Sequence, residues 1–240
     1  MADLVTERQQ FEAALRTLLA NFSGGGSGEI PAARLTLTDM VKAKLDEIIP
    51  GTGISFSLDA ENDISDPYSL LINSLLDESA KRVLQSAPIY ILTPKLNYII
   101  STPVDDNTGY IALPPDFLRI ASLKMEEWKR EVTDFITPAD GRYKLQHNKY
   151  TRGGVAKPVA VLTYKQVNGE TGKVVEYYSV NSSHTVEHLY YIPETLAEDL
   201  QSNLTDALTW TCAGMILQVT ERVDLAKFAF EQASVCYQNL

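Results

Sequence analysis

Histidine and cysteine are scarce: the 240 residues hold three of the first and two of the second. Two thiols make no disulfide framework. Cys212 and Cys236 fall in apolar helical patterns and read as small core residues of a protein kept reduced. No apolar run reaches the roughly 18–20 residues that span a bilayer. The first 22 residues have no basic segment followed by an apolar one, so they read as a folded helix rather than a signal peptide. Positive charge is also short, with 21 Lys and Arg against 31 Asp and Glu, a net charge of −10. Residues 1–80 alone carry thirteen acidic against five basic residues. That excludes a broadly basic surface gripping nucleic acid by counterion release. No C-x-x-C is present. The acidic pairs Asp105-Asp106 and Glu126-Glu127 are adjacent in sequence, which suits turns and surfaces better than paired-carboxylate catalysis.

What remains is ordinary globular composition, with 45% apolar and 22% charged residues. Phe11, Ala14, Leu15, Leu18, Leu19 and Phe22 recur at helical spacing and predict an amphipathic helix over 1–22. It runs into 23-SGGGSG-28, a flexible linker taken to extend over 23–33. A phosphate-cradling loop would need Gly-Lys-Ser/Thr after the glycines, and Glu29 stands there instead. Further helices are predicted over 37–49, opened by Thr36 and Asp39, and over 67–86, with Asp66 as cap and Pro67 in the first turn. Two long helices, 195–219 and 222–239, close the chain.

Between them the period changes. The segment 98–113, turning at 105-DDNTG-109, reads as a hairpin. Strands are also expected at 118-LRIASLKM-125, 142-RYKLQ-146, 158-PVAVLTYKQV-167, 174-VVEYYSV-180 and 186-VEHLYYI-192. The order helices, strands, helices predicts an α+β fold. A helical bundle, made of the N-terminal helices and the two long C-terminal ones, receives an inserted antiparallel β part over about 89–192. One main domain, made of these helices and the β part together, is placed at 34–240.

One segment matches a catalytic signature. The residues 184-HTVEH-188 fit H-x-x-E-H, the zinc motif of inverted metallopeptidases. That chemistry needs His184 and His188 on one helical face, with Glu187 as base. The neighbours Val186, Leu189, Tyr190, Tyr191 and Ile192 favour a strand, which would separate the two histidine Cα atoms by about 13 Å. The only other histidine, His147, lies in a polar loop. The expectation is therefore no metal and no cofactor, with a zinc hydrolase using His184, Glu187 and His188 as the alternative. Arg142, Lys144, Lys149, Arg152 and Lys157 form a local basic segment, read as a solvated loop face. If it binds anything, the acidic N-terminal third of a neighbouring chain is the natural candidate.

The stretch 110-YIALPPDFLRIASL-123, with the helix 68-YSLLINSLLDESAKRVLQSAP-88 and the paired-helix ending 204–240, resembles the head-to-tail connector proteins of short-tailed phages, also called tail tubular protein A-like adaptors. The resemblance covers roughly residues 66–240. The doubled proline and the Gly-rich N-terminal extension depart from the pattern. The resemblance implies a non-enzymatic virion protein, made in the host cytoplasm. It would form a homo-oligomeric ring, commonly of twelve copies, between the portal protein and the tail or further neck proteins. DNA would pass through the lumen without specific binding, and no membrane is involved. An acidic surface suits such a passage. Subunit or portal contacts are expected from Phe11, Leu15, Leu18, Leu19, Phe22, Phe228, Tyr237 and Leu240. A monomeric assembly or interaction module is a further alternative.

Overall fold

A computed structural model describes residues 31–49, 67–97, 100–167, 169–181 and 183–238. The 1–22 helix, the Gly/Ser segment, Asp66 and Leu240 lie outside the described residues. Along the chain come α1 (Ala32–Ile48), α2 (Pro67–Ser86), β1 (Lys95–Asn97), β2 (Ser101–Asp105), β3 (Thr108–Ala112) and β4 (Phe117–Met125). They are followed by α3 (Arg142–Gln146), β5 (Ala160–Val167), β6 (Glu170–Tyr178), β7 (Val186–Pro193), α4 (Thr205–Val219) and α5 (Val223–Gln238). The architecture is α+β, with the β part inserted into the helical sequence. Two compact units result: 1–91 with 195–240, and 92–194.

In the helical unit α4 is the centre. Every residue from Ala207 to Leu217 is buried, and α1, α2 and α5 all pack on it. A helix apolar all round belongs inside a core rather than on its surface. Val41 and Leu45 of α1, Leu76, Ala80 and Val83 of α2, and Ala229 and Ala233 of α5 supply the facing layer. Each buried Leu or Val side chain contributes about 1.5–3 kcal/mol of transfer free energy. Gly214 lets α5 come close. A Cβ there would stand 2.7 Å from Cε1 and 2.9 Å from Cδ1 of Phe230. The α4–α5 junction turns at Glu221, whose φ of 63° lies in the left-handed region. The bond Arg222 N–H to Leu217 O (2.9 Å) closes that turn.

Arg34 ties the periphery together. Its guanidinium donates to both Asp77 oxygens (3.2 and 2.8 Å), to Glu198 Oε2 (3.0 Å) and to the Asn73 carbonyl (2.9 Å). Asp77 also accepts from the Ala197 amide at 3.1 Å. Three segments distant in sequence are thereby fixed to one planar cation, the geometry that arginine suits. Burial would raise the Asp77 carboxyl. The hydrogen bonds from Arg34 and the Ala197 amide, with the charge of Arg34, outweigh it and hold the group below the usual carboxylate range.

The β unit has two antiparallel sheets, ordered β1-β7-β4 and β2-β3-β6-β5. Ile111, Val175 and Tyr177 of one meet Leu123, Met125 and Leu189 of the other in a shared core, which also holds Trp128. The β2–β3 turn forms as its residues dictate, with the Asn107 amide donating to Asp105 Oδ1 at 2.8 Å. Gly109 is required there: a Cβ would fall 2.1 Å from Tyr177 Oη and 2.7 Å from the Thr102 carbonyl.

Several expected boundaries are corrected. Helix α1 begins at Ala32, five residues before the predicted start and inside the segment assigned to the linker. Thr36 is not a cap but lies within the helix, its hydroxyl bonding back to the Ala32 carbonyl at 3.2 Å. The predicted helix over 195–219 becomes two 3₁₀ turns, Ala197–Asp199 and Ser202–Leu204, before α4. Extended backbone at Leu200 and Gln201 (ψ 144° and 137°) separates the turns. The predicted strand 142–146 is α3. The Asp140 side chain accepts from the Arg142 amide (2.8 Å) and its carbonyl from the Tyr143 amide (3.0 Å), which starts a helical turn after the Ala-Asp-Gly signal.

Candidate functional site

The histidine segment does not assemble a metal site. Strand β7 starts only at Val186, so His184 lies in the preceding loop. Its Nδ1 is 2.8 Å from Tyr177 Oη, and its carbonyl accepts from the Ser101 hydroxyl. His188, on β7, places Nε2 3.3 Å from Glu131 Oε2. Glu187 pairs with Lys124 of β4. The three side chains thus have three separate sets of partners, and each contact fastens the β unit. Among the described residues no group of three or more His, Cys, Asp or Glu could hold a metal ion.

The Leu-Pro-Pro-Asp-Phe stretch has a structural part. The Phe117 amide bonds to the Pro114 carbonyl at 3.0 Å, turning the chain out of β3 and into β4. Phe117 is buried and stacks on Tyr191, ring centroids 6.2 Å apart. Asp116 accepts from the Tyr191 hydroxyl (3.1 Å) and from Lys95 Nζ (3.1 Å). The motif thereby joins the connection before β4 to both other strands of its sheet.

The remaining features are surfaces. Of the expected contact residues, Phe228 is 44% exposed and stands edge-on to Trp210, ring centroids 6.1 Å apart. Tyr237, expected at an interface, is instead buried in its own unit, its hydroxyl 3.1 Å from Ser86 Oγ. Phe11, Leu15, Leu18, Leu19, Phe22 and Leu240 fall outside the described residues. Phe228 has company that sequence reading missed. Asp224, Phe228, Glu231 and Val235 are all exposed and lie at i, i+4, i+7 and i+11, one stripe of α5. The signal was present in that spacing, but it mixes two charges with two apolar residues, so no hydrophobic pattern shows it.

The basic segment divides. Arg142 is committed to Asp140 (2.8 Å) and Asp134 (3.2 Å), and Arg152 donates to Asn107 Oδ1 at 3.0 Å. Lys144, Lys149 and Lys157 are exposed. They have no ion pair among the described residues, and neither do Lys129 and Arg130, which sequence reading left out. The amide of Lys129 bonds to the Val155 carbonyl at 2.9 Å, so that pair adjoins the basic segment. Only the fold shows this proximity.

Charge is divided unevenly between the units. Residues 92–194 contain twelve acidic and twelve basic side chains, whereas 1–91 with 195–240 contain nineteen and nine. The whole surplus of −10 belongs to the helical unit.

Comparison with protein-family models matches none, and comparison with curated proteins also finds no match. Among the described residues no helix is long and apolar enough to cross a membrane.

Proposed function

We propose that this chain is a structural subunit of a ring placed between the portal and the tail of a short-tailed phage, and that it performs no catalysis. The observation that carries the reading is the division of charge: an acidic helical unit and a neutral β unit in one chain. Two dissimilar surfaces on one subunit are what a head-to-tail contact uses, and such contacts close into rings when the rotation permits. A surplus of carboxylates repels phosphate and suits a passage for DNA. The resemblance over 66–240 supports the same reading, with Phe117 and Asp116 of its central motif joining the strands of one sheet. In this reading one face of the ring meets the portal protein and the other meets tail or further neck proteins.

The test is the mass of the full chain in solution as its concentration rises. The expected result is a transition from single chains to one closed species of defined copy number. A chain that stays single at every concentration would favour the monomeric interaction module instead.

A further inference from the structure

Two exposed surfaces of this chain complement each other. On the β unit, α3 and the loop after it present Lys144, Leu145, Lys149 and Tyr150, with Tyr150 84% exposed and Leu145 48% exposed. The loop is held by its own bonds. Gln146, itself buried, accepts from the Gly153 amide (3.0 Å) and donates to the Arg142 carbonyl (3.0 Å). The Thr151 hydroxyl donates to the Leu145 carbonyl at 2.9 Å. The surface is therefore formed before any partner arrives, which lowers the ordering cost of binding. On the helical unit, α5 presents Asp224, Phe228, Glu231 and Val235. One surface is two cations with two apolar side chains, the other two carboxylates with two apolar side chains. Lys227 stands beside the stripe, 3.8 Å from Asp224.

We infer that residues 144–150 of one copy dock on the exposed α5 stripe of the next copy, forming the head-to-tail contact between neighbouring subunits. This rests on the ring reading and supplies its contact surface. Three observations favour a second copy over other occupants. The lysines have no carboxylate partner among the described residues, whereas Arg34, Lys95, Lys124 and Lys165 each have one. The chain itself carries the complementary stripe. The same contact repeats identically around a cyclic axis, so no further partner is needed to complete it. Duplex DNA is the competing occupant of a basic loop. Its approach is opposed by the −10 of the helical unit in every copy.

The experiment uses the full chain, wild type and two charge reversals, K144E/K149E and D224K/E231K, each checked for folding by circular dichroism. Either reversal is expected to weaken self-association at least about tenfold, since like charges then face each other. The fourfold variant carrying both reversals is expected to regain it. In parallel, a zero-length carbodiimide joins lysines to carboxylates in an equal mixture of ¹⁴N and ¹⁵N wild-type chains. Mixed-isotope links between Lys144 or Lys149 and Asp224 or Glu231 are expected. Wild type that assembles while both reversals assemble equally well overturns this contact but leaves the ring reading standing. Links found only within one isotope also overturn the contact. Loss of binding to a labelled DNA duplex in K144E/K149E, with assembly unchanged, overturns it in favour of nucleic acid. Wild type that never assembles overturns both.

Discussion

Replacing Arg34 by methionine removes the cation that fastens α1 to α2 and to the turn at Ala197. Four hydrogen bonds of 2.8–3.2 Å disappear, three to carboxylate oxygens and one to a carbonyl. Hydrogen bonds to charged groups contribute about 1.5–3 kcal/mol each, but they share one donor group and do not add. The Asp77 side chain is 44% exposed, so water replaces part of what it loses, whereas Glu198 at 19% is more enclosed. The expected loss is about 2–3 kcal/mol, below the 3–5 kcal/mol of a fully buried pair. Urea unfolding followed by circular dichroism reads it as a lower midpoint with an unchanged slope. Arg34→Lys should lose less, since one ammonium replaces part of the fork. The pH dependence has a definite sign. Because folding holds the Asp77 carboxyl below its ordinary value, its stabilisation is complete above the unfolded pKa of about 3.9. It is lost as pH falls through the depressed folded value. The gap between wild type and R34M should be flat from neutral to mildly acid pH and narrow below about pH 4. A loss under about 0.5 kcal/mol, or a gap that widens in acid, refutes the role given to Arg34.

Gly214→Ala should destabilise by about 1–2 kcal/mol: overpacking against Phe230 exceeds the helix-propensity gain. Adding Phe230→Leu should recover part of that loss in thermal melts. Gly109→Ala should cost about 2 kcal/mol or more, and Tyr177→Phe should not rescue it, because the Thr102 carbonyl also lies in the way. Burial pushes the Cys212 thiol up to about 12. A thiol reagent should therefore leave Cys212 unmodified in the native protein and react with it only on unfolding, which mass spectrometry reads directly.

Local grammar made much of the fold legible. Proline opened α2 at the expected residue, the Asp-Asp-Asn-Thr-Gly turn produced the β2–β3 hairpin, and β-branched and aromatic composition located β4, β5 and β7. Where local signals compete, sequence reading failed. Arg142–Gln146 alternates like a strand, but Asp140 supplies a helix start just before it. The run after Pro193 is apolar at helical spacing, yet before α4 it forms two short 3₁₀ turns split by extended backbone, and Asp77, 120 positions away in sequence, takes the Ala197 amide. A tertiary acceptor of that kind leaves no trace in the local pattern. The surfaces were least visible. The basic residues at 142–157 were legible as a segment, but Arg142 and Arg152 have partners within the β unit that only the fold reveals. The α5 stripe alternates charge with apolar side chains, so hydrophobic periodicity passes over it. The strand around the histidine motif was legible from Val186 onward, though His184 itself stands outside it.

Electron microscopy of the full chain, concentrated until its mass rises above that of a single subunit, tests the central claim most directly. The account predicts closed rings of identical copies around an open centre, with the α5 stripe of each copy covered by its neighbour. Discrete single chains, or open filaments without closure, would contradict it.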